Sequence, residues 1–188
     1  MRPTNRGVKL TYDDYVQFPD DGKRHELIDG EHFVTLTPNR KHQSVSANVL
    51  GLIWSHLQRH PVGRVFAAPF DVILSTFDVV EPDLLYLSQQ RLSEIETSPW
   101  VKGAPNLVVE IGSPSTRKRD ATLKRDLYER FGVEEYWIVD PEVDTIDVYR
   151  RIEGRYERAF HLTLERDDVL TTPLLAGLEL PLAKIFED

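Results

Sequence analysis

The stretch over residues 106–140 constrains the fold more than any other part of the chain. Residues 106–111 form a short, nearly continuous apolar run, the mark of a strand buried on both faces. A helix is expected over 115–131, closed by Gly132, and a second buried strand over 135–140. Strands buried on both faces need cover on both sides of a sheet. The chain therefore reads as one α/β (α+β) domain over residues 1–188, a mixed sheet flanked by helices. The other expected elements fit around this unit. A short helix over 11–18 has Thr11 as N-cap and Asp14 three residues on, and Pro19 stops it. A hairpin over 24–36 turns at Asp29-Gly30. A long helix spans 39–60, strands span 64–75 and 79–87, and 91–96 makes one or two helical turns. Residues 144–150 and 155–164 read as an antiparallel pair, and 174–186 has no assignable pattern.

Several chemistries are excluded early. The chain of 188 residues has no cysteine, so it has no disulfide scaffold, thiol nucleophile, iron–sulfur cluster or Cys-ligated zinc. No apolar run approaches the roughly 18 residues of a membrane span, and residues 1–11 lack a signal-peptide core. These features fit a soluble protein of the reducing cytoplasm. With 23 Lys and Arg against 31 Asp and Glu the net charge is −8, which argues against a large nonspecific nucleic-acid binder. It leaves room for a metal enzyme acting on phosphates, because a bound cation neutralises local carboxylates.

The informative residues are charges set inside apolar stretches. Asp83 lies in Pro82-Asp83-Leu84-Leu85-Tyr86-Leu87, and Glu110 in Leu107-Val108-Val109-Glu110-Ile111. A carboxylate in a buried strand is costly unless it is paired or binds a metal. At 100° per residue, Asp120, Leu123, Lys124, Leu127, Tyr128 and Phe131 fall on one side of the following helix, with Lys118, Arg119, Arg125, Asp126, Glu129 and Arg130 mostly opposite. Lys124 thus sits within the apolar stripe and needs a partner. That partner is either Asp120, one turn back, or the cavity of Asp83 and Glu110. Two carboxylates can hold Mg²⁺ through oxygen, and a lysine can orient water or stabilise charge on phosphorus. Glu26, near the Asp29-Gly30 turn, is either a further acid of this set or a solvated strand residue.

These residues resemble a known family. Pro82-Asp83, then Glu110 in a buried strand, then a helix carrying Lys124, is similar to the PD-(D/E)xK nuclease superfamily. Within it, His25-Glu26-Leu27-Ile28-Asp29-Gly30-Glu31, Val109-Glu110-Ile111-Gly112-Ser113-Pro114-Ser115-Thr116 and Gly132-Val133-Glu134-Glu135-Tyr136-Trp137-Ile138-Val139-Asp140-Pro141 resemble the Uma2 family. The likeness runs from about Tyr12 to Leu182. It implies a restriction-endonuclease-like fold and a metal-dependent endonuclease that hydrolyses DNA. It further implies Mg²⁺ or Mn²⁺ at Asp83 and Glu110, a catalytic set of Glu26, Asp83, Glu110 and Lys124, and a homodimer. The superfamily's usual lysine position, two residues after the acid, is Gly112 here. By the resemblance, Lys124 supplies the amine instead.

Other candidates are weaker. His42 opens the long helix on its core face, as a structural residue or, with Asp120, as a support of the site. His56 and His60 have metal-clamp spacing without a third ligand. Arg117, Lys118 and Arg119 form a basic run, a solvated face or a DNA contact. Trp54, Trp100 and Trp137 read as core or interface packing. No Walker loop or nucleophile elbow is present, and Ser113 or Ser115 serves better as a helix cap. A two-carboxylate glycosidase leaves Lys124 unexplained. The alternative to an endonuclease is a catalytically inactive relative that binds nucleic acid or a protein partner.

Overall fold

The structure, a computed structural model, describes residues 8–95, 99–113 and 116–187. Helix α1 (Tyr12–Tyr15) carries the expected capping box between Thr11 and Asp14. Strands β1 (Arg24–Ile28) and β2 (Glu31–Thr35) form the expected hairpin. Its turn residues Asp29 and Gly30 both have positive φ, 53° and 74°, the geometry that matches strand twist in a two-residue hairpin. Helix α2 (Arg40–Arg59) is capped by the Asn39 side chain, which accepts from the His42 N–H.

The two strands expected over 64–75 and 79–87 are four. They are β3 (Gly63–Ala67), β4 (Val72–Ser75), β5 (Asp78–Val80) and β6 (Leu84–Ser88). Prolines explain the breaks, since Pro69 and Pro82 cannot donate to a ladder and the chain changes sheet at each. After α3 (Gln89–Ile95) come β7 (Val101–Lys102) and β8 (Leu107–Ile111). Residue 96, the end of the expected helical turns, lies outside the described residues. Helix α4 (Arg117–Arg119), a wider π-helical turn (Asp120–Lys124) and α5 (Arg125–Phe131) run on as one helix, which Gly132 ends at φ 85°. Of the two expected caps, Ser115 lies outside the described residues, and Thr116 rather than Ser113 stands at the N-cap position. Strands β9 (Glu135–Asp140), β10 (Thr145–Ile152) and β11 (Arg155–Thr163) follow as expected. The unassigned C-terminal segment contributes a small ribbon of β12 (Val169–Leu170) and β13 (Leu180–Pro181), and α6 (Leu182–Ile185).

The strands make two main sheets instead of one. The larger has the order β11-β10-β9-β8-β6-β3, and the smaller β2-β1-β5-β4-β7. Each is mixed: β8 and β9 pair in parallel, as do β4 and β7, and the other pairs are antiparallel. Side-chain alternation sorts the core into two layers. Leu84, Tyr86, Val109 and Ile111 pack with Val45, Val49 and Ile53 of α2 and with the C-terminal segment. Leu85, Leu87 and Val108 face the other way, toward Leu127 and Tyr128 of α5 and toward Ile28 and Val80 of the smaller sheet. Glu110 shares the parity of Val108, so the strand that builds the core also delivers a carboxylate into the gap between the sheets.

Candidate active site

Five segments converge on one cavity of about 200 Å³. Its lining includes Arg24, His42, Asp83, Glu110, Asp120 and Lys124. From the hairpin, Arg24 and Glu26 share one face of β1, and the Asp29-Gly30 turn fixes them opposite Thr35 and Phe33. Glu26 is fully buried, so its reading as a solvated strand residue is replaced. Asp83 sits in the bend just before β6 and not within a strand. The β6–β8 ladder has its outermost pair at Leu84 and Val109, and the next amide, Ile111 N–H, donates to Asp83 Oδ2 at 2.8 Å. Asp83 Oδ2 also receives His42 Nε2–H at 3.2 Å, and Oδ1 receives Arg24 at 2.9 Å. Asp83 and Glu110 therefore come from adjoining chain segments beside one cavity.

Lys124 is the centre of the arrangement. Its ammonium is 2.7 Å from Glu26 Oε1 and 2.8 Å from Glu110 Oε1, and the residue is 1% exposed. The intrahelical pair with Asp120 is thus not its principal contact. The π-helical turn explains why the helical wheel erred for two neighbours. An extra residue in the turn shifts the wheel for Arg119 before it and for Leu123 within it, so Arg119 points inward and Leu123 outward. The Tyr136 hydroxyl donates to the Asp120 carbonyl inside this turn, at 3.1 Å. Arg119 donates to Thr35 Oγ1 at 2.7 Å, lies 3.4 Å from Glu26 Oε2 and sits over the Phe33 ring. Arg117 pairs with Asp140, and Lys118 is exposed, so the three basic residues do not share one surface.

Sequence reasoning missed two members. Arg24 bridges Asp83 and Glu81, at 2.9 Å and 2.8 Å. Tyr128, counted only as part of the apolar stripe, donates its hydroxyl to Glu110 Oε1 at 2.7 Å. A fully buried tyrosine needs a partner for its hydroxyl, and that was the available signal. His56 and His60 bring their rings to 4.6 Å, and no group of three metal-ligating side chains forms among the described residues. Trp137 is buried in the core, whereas Trp54 and Trp100 are exposed.

Burial and charge pull the carboxylates apart. Burial pushes the Glu110 carboxyl up to about 8; Lys124 opposes this, while Asp120, Asp83 and Glu26 add to it. Burial also favours protonating Asp83, but the His42 hydrogen bond and the Arg24 charge outweigh it and hold Asp83 at about 2. Glu26 is held below its ordinary value, because Lys124 and Arg119 outweigh the effect of burial. Burial raises Asp120. Burial alone would lower Lys124, yet Glu110, Glu26 and Asp120 carry it above the usual lysine range.

The donor set suits a hard divalent cation. Glu110 Oε2 accepts no hydrogen bond among the described residues, and Asp120 Oδ1 is buried without a partner. A carboxylate offers about four lone-pair sites, and three donors reach Asp83, which leaves room on Oδ1. Oxygen ligands from one or two carboxylates, with waters completing the shell, is how Mg²⁺ is commonly held.

A protein-family model described as "Putative restriction endonuclease", Uma2, matches residues 12–183. The chain belongs to the Uma2 family. This Uma2 protein also resembles a crystal structure described as a putative nuclease belonging to DUF820 from Anabaena variabilis. The TM-score is 0.80 at 22% identity, over 94% of this chain and 97% of that one, which establishes the mixed α+β fold. The type IIG restriction endonuclease BpuSI aligns with a TM-score of 0.41 at 11% identity, over 77% of this chain and 15% of that one. No curated protein matches the chain. No helix among the described residues is long and apolar enough to cross a membrane.

Proposed function

We propose that this Uma2 protein is a metal-dependent endonuclease that hydrolyses DNA phosphodiester bonds, with Glu26, Asp83, Glu110 and Lys124 as its catalytic set. The observation that carries the reading is the Lys124 ammonium, buried between Glu26 and Glu110 on the wall of a cavity that Asp83 also lines. Asp83 and Glu110 would hold Mg²⁺ or Mn²⁺, which when bound polarises the phosphodiester and lowers the pKa of water. Lys124 stays protonated, so its task is to donate hydrogen bonds and stabilise negative charge, not to take a proton. Glu26 and Tyr128 hold the lysine and the Glu110 carboxylate in register, while Arg24 and His42 fix Asp83. The reading includes a homodimer, which sedimentation of the purified protein checks.

The alternative, a nuclease-fold protein that binds nucleic acid or a protein partner without hydrolysis, draws on one observation. Asp83 already accepts from Arg24, His42 and Ile111. The test is incubation of the protein with supercoiled plasmid and with single-stranded circular DNA, with Mg²⁺ or Mn²⁺, beside a Glu110→Gln control. Metal-dependent cutting that the control lacks supports the endonuclease. Intact DNA under every metal condition, with no calorimetric Mn²⁺ binding, rejects it.

A further inference from the structure

The longest stretch of the chain without an acidic residue is 32–70. It carries Arg40, Lys41, Arg59 and Arg64 and four of the six histidines, in a protein of net charge −8. The fold keeps this stretch together as most of β2, all of α2 and all of β3. β3 ends the larger sheet, so its outer edge pairs with no strand among the described residues, and α2 packs beside it.

Two cavities lie at opposite ends of the seam between helix and strand. One, of about 410 Å³, meets the catalytic cavity at Arg24, His42 and Asp83 and continues past Ser46 and Pro69, with Lys23 as well as Asp20 and Glu81 in its lining. The other, of about 490 Å³, lies at the far end of the same two elements, between Trp54, Gln58, Arg64, Phe66 and Gln89. α2 leads away from the near cavity toward the far one, and β3 leads back, ending just before Ala68 and Pro69 of the near cavity. His42 and Trp54 are about 18 Å apart along the helix axis.

The chemistry at the far end is that of an unpaired nucleobase on a charged backbone. Trp54 is 56% exposed and lines this cavity. Arg64 is exposed and has no ion pair among the described residues. The Gln58 amide can donate and accept, and Gln89, whose Nε2 donates to the Pro61 carbonyl at 3.2 Å, offers its oxygen as an acceptor. Stacking on an aromatic ring beside a basic groove is how proteins hold single strands without sequence preference, whereas a duplex keeps its base faces covered.

We propose that the α2–β3 seam is a track that leads single-stranded DNA into the catalytic cavity, with the Trp54 indole stacked on a base and Arg64 on the backbone. This rests on the nuclease reading and names its substrate as single-stranded. The test measures binding in EDTA, without cleavage, by anisotropy of a labelled single-stranded oligonucleotide and of its duplex. Trp54→Ala and Arg64→Ala are compared with wild type and with Trp100→Ala, an exposed indole away from the seam. The expected result is tighter binding of the single strand than of the duplex. Trp54→Ala weakens single-strand binding roughly 10-fold or more, and Trp100→Ala does not. Arg64→Ala reduces the slope of log affinity against log salt by about 0.7. Equal affinity for both DNA forms, or unchanged single-strand binding in Trp54→Ala, overturns the track. So does a Trp54→Ala protein that binds DNA normally but loses self-association in sedimentation. Single-strand binding that depends on Trp54 without cleavage under any metal condition leaves the track standing and rejects the endonuclease. Duplex cleavage indifferent to Trp54 does the reverse.

Discussion

The Tyr128 hydroxyl donates to Glu110 Oε1 at 2.7 Å, the same oxygen that receives the Lys124 ammonium at 2.8 Å. Two donors on one oxygen leave the other, Oε2, without a hydrogen bond among the described residues. Tyr128→Phe removes one of them and keeps the ring's packing. The expected outcome is a fall of about 10-fold in Mn²⁺ affinity, read by calorimetry, with the fold intact by circular dichroism. Unchanged affinity would show that Lys124 alone orients Glu110.

Replacing the lysine is a harsher change than its place in an apolar stripe suggested. From sequence, Lys124→Met keeps the packing of the stem and loses only a charge. In the structure that charge separates two buried carboxylates, Glu26 and Glu110. Leaving buried charge unpaired costs about 3–5 kcal/mol, so Lys124→Met should melt well below wild type in EDTA. Lys124→Met with Glu26→Gln removes one charge of each sign and should recover much of that loss. Turnover should stay about 10²–10³ below wild type in both variants. A double variant that regains activity would remove Lys124 from the chemistry.

Much of this site was legible because burial makes charge conspicuous. Glu110 and Lys124 interrupt apolar patterns whose period is plain, whereas Glu26 reads equally as a further acid or a solvated strand residue until its burial is seen. Arg119 was misread because a single π-helical turn at 120–124 rotates the residues before it, and helical periodicity carries no mark of such a turn. Arg24 was missed because an arginine beside a turn looks solvated until Asp83 and Glu81 arrive from a distant segment. The split of the strands at Pro69 and Pro82 was written in the sequence, and the second sheet was not. Which strands pair across those breaks depends on contacts far apart in the chain.

The metal-free protein should lose stability as pH rises through the Glu110 transition. Its folded pKa, about 8, exceeds the ordinary value of 4.5. The folded state therefore holds the proton more tightly than the unfolded chain does. This contribution is fully present below about pH 4.5 and is lost by about pH 8. Glu26 is depressed and acts oppositely, stabilising above its ordinary value of 4.5 and ceasing to do so as pH falls. Thermal melts in EDTA should thus show Tm declining between about pH 5 and pH 8, with the decline removed by Glu110→Gln and reduced by saturating Mg²⁺. A decline of the same size in Glu110→Gln would assign the transition to another group.

Two glycines predict opposite outcomes for one substitution. Gly51 lies on the exposed face of α2, and a Cβ there would meet nothing within 4 Å. Its replacement by alanine restores helix propensity worth up to about 1 kcal/mol, a rise of roughly 2–4 °C in Tm for a chain of this size. Gly63 opens β3 opposite Ser88. A Cβ there would lie 2.2 Å from the Leu87 carbonyl oxygen and 2.6 Å from the Tyr86 ring. The oxygen belongs to β6, which is held on its other side by β8, so the edge strand β3 must move instead. That overpacking costs about 1–3 kcal/mol. Because β3 forms one wall of the 490 Å³ cavity beside Trp54, Gly63→Ala should also disturb that wall, whereas Gly51→Ala should leave it intact. Paired melts of the two variants check the signs. A Gly63→Ala protein as stable as wild type would mean that β3 is free to slide along β6, and that its register is not fixed by this contact.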